Sequence, residues 1–222
     1  MAYPPNVVLF DVLETLIDLD PLALRLEKVG QPATTLAPWF LRFQRDAMAL
    51  TLAGDPAPFE AVAREALRTE TKYTLSERDI EYVVEGFATL PTFDDAAPAL
   101  RQLCEAGASV GCLTVNSPDK TRRFLEGAGL SRFVDQVVTA QSAGVWKPHP
   151  NIYHFAAKTM ETPIERLALV AVHAWDCHGA KRAGALAGWC ARLECRPGDV
   201  FVPADVTGDS LVEVADRLMS LH

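Results

Sequence analysis

Apolar residues in this chain follow two different rhythms. The first is a short unbroken run, Val7-Val8-Leu9-Phe10, which ends on Asp11. An unbroken run predicts a strand buried on both faces of a parallel sheet, since a half-exposed strand would alternate. Similar runs occupy 109–114, 134–139 and 167–172. Between them, apolar positions recur at helical spacing over 96–105, 120–126, 151–160 and 179–185, and a last helix is expected over 210–219. Strand and helix alternating at this interval predict βαβ units and a doubly wound sheet. Residues 16–91 differ. They carry helical spacing over 36–52, 59–68 and 76–87 without a convincing strand, punctuated by Ala53-Gly54-Asp55-Pro56 and Leu90-Pro91. The expected architecture is α/β: a Rossmann-like doubly wound parallel core over 1–16 and 92–222, with a helical cap inserted over 17–91.

Composition narrows the function classes. The chain has 222 residues, 49% hydrophobic and 23% charged, with a formal net charge of −8. It lacks a Lys/Arg-rich run, so nucleic acid and anionic membrane are poor partners, while a small anionic substrate stays open. The start, Met-Ala-Tyr-Pro-Pro-Asn, has neither the basic residues nor the long apolar stretch of a signal peptide. Five cysteines without a CxxC pair read as reduced thiols. These features together predict a cytoplasmic protein.

In an open parallel sheet, ligands bind beyond the carboxyl ends of the strands. Four polar residues fall at or just after such ends: Asp11, Thr114, Lys147 and Asp176. An Asp there is often just a turn residue or a helix cap. An acid, a hydroxyl, a lysine and a second acid converging on one edge point instead to chemistry.

The surrounding residues resemble the four motifs of the haloacid dehalogenase superfamily. The pattern hhhhDxxxT is met by Val7 through Asp11 to Thr15, and a strand ending in a hydroxyl by Cys112-Leu113-Thr114. The third motif is met by Val145-Trp146-Lys147-Pro148-His149-Pro150 with Tyr153, and the fourth by Ala174-Trp175-Asp176. The position two after the nucleophile separates branches: phosphatases carry a second Asp there, and this chain has Leu13, as suits the 2-haloacid dehalogenases. The resemblance implies that Asp11 attacks the halogen-bearing carbon of a small carboxylate substrate, giving an enzyme-bound ester that water hydrolyses. Lys147 would hold Asp11 ionised, Asp176 would orient Lys147 or help activate water, and Thr15 and Thr114 would donate hydrogen bonds. Leu13, Phe40, Phe59, Val115, Asn116, Tyr153 and Trp175 are the expected substrate contacts. This chemistry needs no metal or other cofactor, and homodimers are common in the family.

The chain departs from that branch at several points. Phe40 stands where the dehalogenases have an Arg after a cap Trp, and Arg42 and Arg45 lie on other faces of the same helix, turned by about 100° per residue. Val115 replaces the Asn of the second motif, Glu14 replaces a Gly, and Ala171 and His173 replace a Ser and an Asn. His173 is a candidate for activating the water that cleaves the ester. Two alternatives remain beside the dehalogenase. One is a phosphatase holding Mg²⁺ through Asp11, the Leu13 carbonyl and Asp176. The other is an atypical or degenerate relative with another substrate or a binding role.

Overall fold

The computed structural model describes residues 3–222, so Met1 and Ala2, at the start of the stretch read for a leader and of the expected core, lie outside it. Six parallel strands form one sheet in the order β3-β2-β1-β4-β5-β6. They are β1 (Val7–Phe10), β2 (Ser109–Thr114), β3 (Gln136–Thr139), β4 (Leu167–Ala171), β5 (Leu186–Cys190) and β6 (Val206–Gly208). Every residue of β1, β4 and β5 is buried, which is why their sequences do not alternate. Phe10 pairs with Cys112 on one side and with Val170 on the other. Strand order runs outward in opposite directions from the β1–β4 seam, so the topological switch point lies at the end of β1, where Asp11 emerges.

The chain leaves β1 and returns to the core through adjacent bridges, Leu13 with Ile17 and Ile17 with Thr92. Between these crossings it builds four helices, α1 (Pro21–Lys28), α2 (Leu36–Leu52), α3 (Phe59–Glu70) and α4 (Glu77–Glu85). Ser76 caps α4 by accepting from Asp79 N–H at 3.2 Å. Aromatic rings fill the interior of this helical layer: Phe59 packs edge-on against Phe43 at 5.1 Å and Phe87 at 5.2 Å, and Trp39 Nε1 donates to the Ala63 carbonyl at 2.9 Å.

Six further helices alternate with the later strands: α5 (Ala96–Glu105), α6 (Pro118–Gly127), α7 (Ala140–Ala143), α8 (Pro150–Thr159), α9 (Ala174–Ala183) and α10 (Leu211–Met219). Trp146 and Lys120 help tie the inserted helices to the core. Trp146 meets Phe43 edge-on at 5.4 Å and donates through Nε1 to the Ala57 carbonyl at 3.1 Å. Lys120 on α6 donates to Glu85 at 2.8 Å. Among the described residues, no helix is long and apolar enough to cross a membrane.

Candidate active site

The loop after β1 sets the geometry. Asp11 N–H still donates to the Val170 carbonyl at 2.9 Å, so the residue is held by the neighbouring strand even as the chain leaves the sheet. Thr15, one turn further on, donates through Oγ1 to Asp11 Oδ2 at 2.7 Å and accepts from Val172 N–H at 3.2 Å. Lys147 Nζ lies between two carboxylates, 3.0 Å from Asp11 Oδ1 and 2.6 Å from Asp176 Oδ2. Tyr153 on α8 donates to Asp176 Oδ1 at 2.6 Å. All five side chains are buried.

Burial fixes the charge states. Desolvation pushes the Asp11 carboxyl up, but Lys147, then His173 and Thr15, outweigh it and hold the group well below the usual carboxylate range. Burial pulls the Lys147 ammonium down, and the Asp11 and Asp176 carboxylates more than restore it. Asp176 is raised, chiefly by burial, with Lys147 working against the shift. Asp11 is therefore an ionised carboxylate, oriented from both sides and screened from water: the state required of a nucleophile.

His173 follows β4 and adds a second cation. Its Nε2 is 2.8 Å from Glu14 Oε2, and its Nδ1 is 3.4 Å from Asp11 Oδ2. The second separation is an ion-pair contact without hydrogen-bond geometry, and Nδ1 is buried without a hydrogen-bond partner. Burial lowers the ring's proton affinity, but Asp11 and Glu14 raise it further, to about 10. The imidazole is thus protonated at neutral pH when Asp11 is free, which reverses the starting state expected of a base. Glu14 reaches the ring from a left-handed backbone, φ 64°, the conformation at which Gly is the usual residue.

A small chamber of about 20 Å³ lies above Asp11, lined also by Leu13, Phe40, Val115, Lys147, His173 and Trp175. One water needs roughly 10–15 Å³ by the same measure, so the chamber has room for little more than a single small group. The wall is completed by Phe43, Gln44, Met48 and Trp146, which the sequence reading did not single out. Three of them follow Phe40 by three, four and eight positions on α2, and so share its face. That periodicity was the available signal.

Other expected contacts lie elsewhere. Thr114 is buried and accepts from Asn116 N–H at 3.1 Å, with no hydrogen bond to Asp11 among the described residues. The Asn116 side chain turns back to accept from Ser117 N–H at 2.9 Å, and its Nδ2 is buried without a partner. Phe59 belongs to the aromatic interior of the helical layer, and Tyr153 stands behind Asp176; neither lines the chamber. Arg42 pairs with Glu70 and Arg45 with Asp46, so neither supplies the guanidinium missing at Phe40.

The donor set does not suit a divalent cation. Among the described residues, no group of three or more His, Cys, Asp or Glu side chains is spaced to hold a metal ion. Lys147 already bridges Asp11 and Asp176, the two carboxylates on which a Mg²⁺ site would depend.

Known proteins resemble this chain over most of its length. The (S)-2-haloacid dehalogenase of Pseudomonas fluorescens is 27% identical over 188 residues, covering 82% of this chain and 83% of the relative. The (S)-2-haloacid dehalogenase 1 of Pseudomonas sp. (strain CBS-3) is 26% identical and covers 98% of each chain. The L-2-haloacid dehalogenase of Xanthobacter autotrophicus, solved with chloropropionic acid covalently bound, shares the fold with a TM-score of 0.91 at 21% identity, covering 98% of this chain and 100% of that one. The family model for haloacid dehalogenase-like hydrolases matches residues 5–184, and the chain belongs to that family.

Proposed function

We propose that this protein is a 2-haloacid dehalogenase that works through an Asp11 ester. The observation that carries the reading is the pairing of an ionised, buried Asp11 with Leu13 two residues later. Leu13 cannot protonate a leaving alkoxide, and a halide leaves without a proton. The relatives named as (S)-2-haloacid dehalogenases support the same class of substrate.

In the first half-reaction an Asp11 oxygen forms a bond to the substrate α-carbon as the carbon–halogen bond breaks, and the halide departs with the electron pair. Lys147 and Thr15 orient the carboxylate. The His173 imidazolium supplies the positive charge that an arginine at position 40 would otherwise bring, and it meets the substrate carboxylate or the departing halide. In the second half-reaction water adds to the Asp11 carboxyl carbon, and the ester bond opens to release the 2-hydroxy acid and regenerate Asp11.

Esterification itself resets His173. Once Asp11 is an ester it carries no charge, and the ring loses one of its two anionic partners. Its proton affinity falls, the proton passes to solvent, and the neutral ring, oriented by Glu14, accepts the proton of the attacking water. The residue acts as a cation first and a base second.

The core is assigned to 1–16 and 92–222 and the cap to 17–91, a division supported by the adjacent bridges at Ile17 and Thr92. A cytoplasmic homodimer is the matching assembly, supported by five free cysteines and by Leu52, exposed at the end of α2.

The test is halide release from chloro-, bromo- and fluoroacetate and from both enantiomers of 2-chloropropionate, with and without EDTA, with Asp11→Asn as the blank. Release that is insensitive to EDTA and absent from the variant is expected. No release from any substrate would refute the reading.

A further inference from the structure

A second cavity, of about 640 Å³, adjoins the chamber, and Phe40, Gln44, His173 and Trp175 line both. These four side chains stand at the junction, or neck, between a small inner space and a larger outer one. The outer cavity runs between α1 and α2 on one side and the residues after β5 on the other, with Leu19, Ala23, Leu36, Ala37, Leu41 and Leu193 among its apolar walls. Its volume is in the range of small-molecule sites, roughly 300–1,000 Å³. The inner chamber, at about 20 Å³, has room for the reacting group alone.

Charge is distributed unevenly along this path. Lys147 and His173 stand at the inner end. Beyond the neck the charged lining residues are Glu14, Asp20 and Glu194, and neither lysine nor arginine is among the lining residues described. Glu194 is fixed there by accepting from Ala174 N–H at 2.9 Å.

We infer that the outer cavity is a subsite for the substrate's side chain, and that it selects 2-substituted monocarboxylic acids with an uncharged alkyl tail of several carbons over both the shortest acids and dicarboxylic acids. The inference rests on the dehalogenase reading for the identity of the reacting end. It adds the length and charge of the other end. The tail passes the Phe40–Trp175 neck and lies on the apolar wall of α1 and α2, while a second carboxylate would face Glu14, Asp20 and Glu194, and the one cation at the neck, His173, is already paired with Glu14.

Calorimetry on the full chain with unreactive acids tests the subsite independently of turnover. From propionate through butanoate to hexanoate, affinity should rise about two- to fourfold per methylene, the upper figure being full burial of each group. Succinate should bind about tenfold more weakly than butanoate, because two like charges meet in a partly dry cavity. Ala37→Phe, at an exposed position on the first turn of α2, should flatten the length series. Affinity that is flat or falling with length in the unaltered protein, a length series unaffected by Ala37→Phe, or succinate binding as tightly as butanoate would each overturn the inference. Halide release absent from 2-chloropropionate and 2-chlorohexanoate alike would refute the dehalogenase reading, while the calorimetric series would still decide the subsite.

Discussion

His173 Nε2 lies 2.8 Å from Glu14 Oε2, so two departures from the dehalogenase pattern, far apart in the chain, form a single interaction. Either change alone would be costly: a buried imidazolium without Glu14, or an acidic side chain on a left-handed backbone without a partner. Together they place a cation beside Asp11 in a chamber that lacks arginine. The pair sits at the β1–β4 seam, where the loops following both strands meet.

Glu14→Gln removes one of the two carboxylates that hold His173 protonated. The alkaline limb of kcat/KM, expected near pH 10 in the unaltered enzyme, should move to lower pH. Glu14→Gly should give the same shift but a more stable protein than Glu14→Gln, since it also relieves a left-handed backbone worth about 1–2 kcal/mol. A pH–rate series with urea unfolding of both variants separates charge from strain, and an unmoved alkaline limb in both would contradict the pairing.

His173→Asn should abolish the alkaline limb of kcat/KM and slow ester hydrolysis, so that the covalent intermediate accumulates. Stability should respond too. A group whose folded pKa is raised contributes fully below its unfolded value near 6.5 and loses that contribution as pH rises through about 10. The unaltered protein should therefore lose stability across that window more steeply than the variant, as read by thermal unfolding at a series of pH values.

Lys147→Met leaves Asp11 and Asp176 buried together without their shared cation. Removing one member of a buried ionic cluster costs roughly 3–5 kcal/mol, and denaturant unfolding should register a loss of that size at neutral pH. The loss should shrink at low pH as the carboxylates are protonated in both states.

Tyr153→Phe deletes a 2.6 Å hydrogen bond to buried Asp176 while preserving the ring. A bond to a charged acceptor is worth about 1.5–3 kcal/mol, so a stability loss in that range is expected. KM should change little, because Tyr153 does not line the chamber. A large rise in KM with unchanged stability would place the ring at the substrate instead.

Much of the fold was legible because its central strands are buried on both faces, which makes them continuous apolar runs. Strands β5 and β6, on the far side of β4, were not. Leu186-Ala-Gly-Trp-Cys190 holds no β-branched residue, and its glycine answers a tertiary demand: a Cβ on Gly188 would come within 2.5 Å of Val214 Cγ1. In the site, Asp11, Lys147 and Asp176 were readable as polar residues at strand ends, and Thr15 through its place in the first motif. Glu14 stood out as a departure, but its partnership with His173 depends on a backbone turn that no periodicity encodes. Phe59 fits the family's spacing and Asn116 stands one position beyond the family's Asn, yet packing against Phe43 and a local bond to Ser117 take them away from the chamber.

Both half-reactions pass through the ester at Asp11, and isotope transfer reads it directly. The enzyme is allowed a single turnover with excess protein over (S)-2-chloropropionate in heavy-oxygen water, and the peptide containing Asp11 is then weighed. Water attacking the Asp11 carboxyl carbon must leave a heavy oxygen in that side chain, and the lactate released must carry none. Heavy oxygen found in the lactate, with an unlabelled Asp11, would mean that water attacks the substrate directly, and would contradict Asp11 as the nucleophile.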